Sequence, residues 1–147
     1  MADFPKRFFR GVGREKYVDE FNLISHEVFV PNKKTAEYRE DSGYETSINW
    51  EDNEEVLEFT FKDRQISPHG VVGANTEEIQ NANSKPNLKT LIENLGRLVF
   101  HERAALDTNP FHGNIVFSCD LPKAAQRAIC SHLALHSTYY PRPQPDR

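Results

Sequence analysis

The side chains of this chain that could do chemistry are few and widely spaced. His112 stands in Asn109-Pro110-Phe111-His112-Gly113, a run of turn-formers ahead of an apolar stretch. An imidazole with an ordinary pKa near neutrality can act there as a general base or an orienting donor. It can equally tie the loop to its own backbone, and a lone histidine without an identified partner favours that structural role. His132 and His136 are four residues apart and share one face of a helix, with Cys130 beside them and Cys119 upstream. The cysteines are eleven apart, unlike the close pairs of a zinc knuckle. The expectation is therefore no metal, with Cys130 buried and His132 packed beside Leu133. Gly11-Val12-Gly13 lacks the third glycine of a dinucleotide fingerprint, and the chain has no Gly-Lys-Ser/Thr, Gly-x-Ser-x-Gly or His-Glu-x-x-His.

Two further segments stand out. Arg10 lies in Arg7-Phe8-Phe9-Arg10-Gly11-Val12, and Ser47 closes Glu45-Thr46-Ser47 on a later stretch of strand-like composition. In these residues the first third of the chain resembles ADP-ribosyltransferase-type domains, which carry an Arg on an early strand, a Ser-Thr-Ser-like segment on a later one and a catalytic Glu beyond. The resemblance implies that Arg10 clamps a pyrophosphate and Ser47 positions the nicotinamide ribose, with NAD as the cofactor or substrate. The chain departs from that pattern in its incomplete serine motif and in having no Glu-x-Glu or Gln-x-Glu on an expected strand. Glu77-Glu78 is the nearest acidic pair, and it falls at an expected helix start, where acids complement the dipole. A broader likeness runs through Phe9-Arg10-Gly11, Val28-Phe29, Ser47-Ile48-Asn49-Trp50, His69-Gly70-Val71-Val72 and Asn109-Pro110-Phe111-His112. In these the chain resembles small bacterial domains of unassigned activity.

The elements that must position these residues can be read from pattern. Arg7 to Val12, Leu23 to Val30, Tyr44 to Trp50 and Leu57 to Phe61 carry strand composition or alternation, and Glu15 to Phe21 reads as a short helix or turn. Asn32 to Gly43 is charged and reads as an exposed loop. Ser67 to Gly70 forms a turn before Val71-Val72. Pro86, Leu88, Leu91, Ile92 and Leu95 outline a helix stopped by Gly96. Arg97 to His101 and Asn114 to Phe117 are two more strands. A last helix is expected from Asp120 to about Leu135, burying Ala125, Ile129, His132 and Leu133. The pattern predicts an α+β fold: a single domain over residues 1–136 with a mixed or antiparallel sheet and two principal helices. Residues 137–147, with Pro141, Pro143 and Pro145, read as a disordered Pro-rich tail.

The chain has 147 residues, enough for one core, with 37% hydrophobic residues, ten Phe and five Tyr to fill it. Its net charge of -4 weighs against nucleic acid as a partner, although Arg7, Arg10, Arg14 and Lys16 cluster beside Phe8, Phe9 and Tyr17. No apolar run is long enough for a membrane span, the N-terminus lacks a signal-peptide core, and two cysteines give no disulfide framework. A cytoplasmic protein is expected. By elimination, the leading expectation is a small bacterial interaction protein of the immunity-factor, antitoxin or accessory-subunit type, as in toxin–antitoxin or defence systems, with a protein partner and no cofactor. Trp50 and the acids Glu51, Asp52, Glu54 and Glu55 would form its binding surface, facing a basic partner. The alternative is an NAD- or nucleotide-handling enzyme built on Arg10, Ser47 and His112, which must then share one cleft.

Overall fold

The computed structural model describes residues 5–31, 44–63, 66–85, 88–95, 99–118 and 121–143. Six strands, β1 (Arg7–Gly11), β2 (Tyr44–Trp50), β3 (Gly70–Asn75), β4 (Val99–Arg103), β5 (His112–Phe117) and β6 (Thr138–Pro141), form one antiparallel sheet in the order β4-β5-β2-β1-β3-β6. Among the described residues four α-helices accompany it: α1 (Val56–Lys62), α2 (Glu77–Asn83), α3 (Lys89–Leu95) and α4 (Lys123–Leu135). The chain is a single α+β domain.

Alternation along each strand divides the side chains between two layers. Phe8, Ile48, Trp50, Val72, Ala74, Ile115 and Phe117 point to one face, where they pack with Ile79 and Ala82 of α2 and with Ala125, Ile129, Cys130 and Leu133 of α4. Phe8 sits at the middle of this core, edge-on to Phe29 at 6.3 Å and to Trp50 at 6.2 Å. Phe9 and Val71 point the other way, against Val56, Leu57 and Phe61 of α1. The second layer is smaller because α1 has only two turns and lies over β1, β3 and the near side of β2.

Three local expectations are corrected. Leu57 to Phe61 is helix, not strand. The same five residues fit both periods, and the turn before them decides: the Asn53 side chain accepts from Glu55 N at 2.9 Å, turning the chain into α1. Leu23 to Val30 is not a strand either. The Ser25 hydroxyl caps a 3-10 turn at His26–Phe29, and this turn drops Val28 and Phe29 onto the core face instead of into a ladder. The segment expected to be a tail contributes β6, paired with β3 from Gly70↔Pro141 to Gly73↔Thr138. An edge strand tolerates Pro141 at its end. Arg142 anchors the segment further, donating from Nη1 to the carbonyls of Phe61 at 2.7 Å and Ser67 at 2.8 Å. The strand over Arg7–Gly11, the short helix at Glu15–Tyr17 and the helix reaching Leu135 agree with expectation; the Asn32 to Gly43 loop lies outside the described residues.

Candidate functional site: a polar cleft where the sheet splits

β1 and β3 stay in register over five pairs, from Arg7↔Asn75 to Gly11↔Val71. β1 and β2 pair only at Phe8↔Trp50 and Phe9↔Asn49. Beyond Phe9 the two strands part, and Arg10 fills the gap. Its Nε donates to the Val28 carbonyl at 2.5 Å and its Nη1 to the Ser47 carbonyl at 2.6 Å. The guanidinium thus takes over a backbone acceptor that the broken ladder leaves without a partner. Burial lowers the Arg10 pKa to about 10, an effect that Tyr17 and Cys130 partly offset. The group stays charged at neutral pH.

Alternation puts Arg10 on the core face, in phase with Phe8, and the Ser47 hydroxyl on the opposite face, in phase with Asn49. The two residues meet through the Ser47 backbone, not through their side chains. Both border one cleft, together with Phe9, Asn49, Thr60, Asp63, Ser67, Asn109 and His112. The three residues that the enzyme reading needs in one cleft, Arg10, Ser47 and His112, all line it.

On the α1 side of the sheet, beyond the reach of α1, the cross-strand pairs build a polar surface. Ser47 of β2 stands opposite Asn114 of β5, and Asn114 opposite Glu102 of β4; Asn49 stands opposite His112. The Asn114 amide donates to Glu102 Oε1 at 3.2 Å. Asn49 donates to the Thr60 hydroxyl at 2.9 Å and accepts from Asn109 at 2.7 Å, which locks the floor of the cleft to α1 and to the loop before β5. His112 Nδ1 lies 2.8 Å from the Ala104 carbonyl. A carbonyl only accepts, so Nδ1 is the donor, and Nε2 is the ring nitrogen left to face the cleft chemistry.

Asn114 Oδ1 and Ser67 Oγ are the buried side-chain atoms without a hydrogen-bond partner among the described residues. One belongs to the polar surface and the other to the cleft wall. Leaving such an atom unpaired costs about 1–3 kcal/mol, and a buried water is the partner that fits atoms so shielded. The enclosed part of the cleft measures about 40 Å³, room for a single small group. Anything larger must lie across the open sheet surface.

Of the residues expected to meet a protein partner, Trp50 is corrected: it is a core residue. Trp50 is fully buried, its indole donating to the Glu102 carbonyl at 3.1 Å. Asp52 is held by Arg103 through two hydrogen bonds, at 2.7 and 3.1 Å, which raise the Arg103 pKa. Glu54 and Glu55 are exposed in the turn before α1, and Glu51 is half-buried. Cys130 is buried near Arg10, and burial pushes its thiol up to about 12. Cys119 lies outside the described residues. His132 and His136 stand at the end of α4, on the opposite side of the sheet from the cleft. Sequence reasoning missed Asn49, Glu102 and Asn114; the only signal available was their alternation with apolar neighbours. No protein-family model matches the chain, and neither a curated protein nor a solved structure matches it.

Proposed function

We propose that this protein is a nucleotide-handling enzyme whose ligand, NAD in the simplest case, lies across the polar surface at the split of the sheet. The observation that carries this reading is the convergence of Arg10, Ser47 and His112 on one cleft whose wall also holds the unpartnered Ser67 hydroxyl. Ser47 is exposed on that surface and offers a neutral hydroxyl suited to a ribose hydroxyl or a carboxamide. Arg10 acts as the positioning residue that holds the split open, since its guanidinium is engaged by two carbonyls. Glu102 supplies the carboxylate that the likeness to ADP-ribosyltransferases implies. In that chemistry the bond from C1′ to the nicotinamide nitrogen breaks, nicotinamide leaves with the electron pair, and water or a target side chain attacks C1′. The attacking group's proton passes to Glu102 or to His112 Nε2. Incubation with NAD tests the reading: nicotinamide should be released by the wild type and at least about 100-fold more slowly by Glu102→Gln. Release that is absent, or equal in both, refutes it.

A second reading has its own observation. Phe21, Leu23 and Leu135 are 76%, 67% and 79% exposed, and a groove of about 350 Å³ runs between Leu23, Ile24 and His26 on one side and Ala134 and Leu135 on the other. Such apolar exposure suits a protein partner. It sits on a different surface from the acidic turn at Glu51 to Glu55.

A further inference from the structure

Glu78, in the first turn of α2, meets His132 and His136 at the C-terminal end of α4, and the three offer ligand atoms that all lie within 4.8 Å of one another. From this geometry we infer a zinc site, formed by Glu78, His132 and His136, independent of the cleft and on the other side of the sheet.

The spacing matches the chemistry. His132 Nε2 is 3.1 Å from Glu78 Oε1, and His136 Nδ1 is 3.7 Å from Glu78 Oε2. Metal–ligand bonds of about 2.0–2.2 Å in a tetrahedron separate the ligand atoms by about 3.3–3.6 Å. The three ligand atoms, all within 4.8 Å of one another, close on an ion by side-chain shifts of about an ångström. The histidines are at i and i+4, which brings their rings to 4.4 Å, tilted by 42°, where α4 ends. The Glu78 carboxylate is fixed from behind by the Asn81 amide, which donates to Oε1 at 2.9 Å. That is the outer support a ligating carboxylate needs.

Burial and charge favour the same ion. The side chains of Glu78 and His132 are 13% and 11% exposed, whereas His136 is 43% exposed. The site is therefore rigid on two sides and open on the third, leaving a fourth position for water or an incoming ligand. Two imidazoles and one carboxylate are the donors a borderline ion such as Zn2+ prefers over Mg2+ or Ca2+. The C-terminal end of α4 adds partial negative charge beside the ion. The sequence showed the histidine pair but not its third member. Glu78 is 54 residues from His132 and joins it only through the packing of α2 on α4.

Zinc titration of chelator-treated protein at pH 7.5 tests the site by calorimetry, with the visible bands of Co2+ reporting tetrahedral geometry. One Zn2+ per chain should bind at micromolar concentration or below. Glu78→Gln and His136→Ala should each weaken binding at least about 10-fold while the metal-free proteins melt close to wild type. Glu78→Gln retains a hydrogen-bonding side chain and His136 is partly exposed, so neither change should prevent folding. No stoichiometric binding by the wild type, or unchanged affinity in either variant, overturns the inference. Nicotinamide release should proceed in the metal-free protein, so the failure of one proposal leaves the other standing.

Discussion

Arg10 reaches Ser47 through the backbone: its Nη1 donates to the Ser47 carbonyl at 2.6 Å while the Ser47 hydroxyl points to the opposite face of the sheet. The pair that marks the site by residue type is thus divided into one group that shapes the cleft and one that can face a ligand. Arg10→Lys cannot satisfy both carbonyls, each such charge-assisted bond being worth about 1.5–3 kcal/mol, so urea unfolding should show a loss in that range. Ser47→Ala keeps the backbone acceptor and should stay within about 0.5 kcal/mol of wild type. A larger loss for Ser47→Ala than for Arg10→Lys would reverse these roles.

Gly113 should tolerate no side chain. Trp50 crosses β5 above it to reach the Glu102 carbonyl on β4. A Cβ at Gly113 would lie 1.9 Å from Trp50 Nε1 and 2.6 Å from the Glu102 carbonyl oxygen, and the second of these is backbone. Gly113→Ala should destabilise by about 1–3 kcal/mol through overpacking, and Trp50→Ala by about 3–5 kcal/mol through the cavity it leaves. Thermal melts of both variants check this; a neutral Gly113→Ala would show that the indole does not lie over β5.

Deleting residues after Leu135 should lower the melting temperature sharply, because it strips β6 from β3 and leaves that strand as an open edge. Deletion after Pro143 should have little effect. Equal melting temperatures for the two truncations would mean that β6 does not dock.

Cys130 should resist thiol reagents until the protein unfolds. In a Cys119→Ser background, iodoacetamide labelling near neutral pH should follow the unfolding curve. The thiol also fixes the sign of an alkaline effect. Its folded pKa, pushed up to about 12, lies above its ordinary 9.0, so between these values the unfolded state binds fewer protons and stability falls as pH rises. Cys130→Ala should flatten that decline just above pH 9. Rapid native labelling would place the thiol at the surface.

What was legible in the sequence follows from where the information is local. Alternation in Tyr44 to Trp50 and the apolar run ending at Leu135 mark β2 and the end of α4, because both elements bury one face against a single layer. The expected cap Asp120 lies outside the described residues, and the helix starts at Lys123 after Pro122. Leu57, Phe59 and Phe61 were ambiguous, since a two-turn helix and a five-residue strand bury nearly the same set. Glu77-Glu78 marks the start of the helix at Glu77–Asn83, but its extent is not legible because Ile79 and Ala82 are its only buried residues. The site itself was legible in part. Arg10, Ser47 and His112 could be named by type, but Asn49, Glu102 and Asn114 join them only through cross-strand register, which no local pattern encodes.

The most direct test of the central claim is an NMR titration with NAD, following backbone amides in 15N-labelled protein. The account expects shifts concentrated at Ser47 to Asn49, His112 to Asn114 and Glu102, with Asn114→Leu abolishing them. An unchanged spectrum at millimolar NAD, or shifts confined to the groove between Leu23 and Leu135, would contradict it.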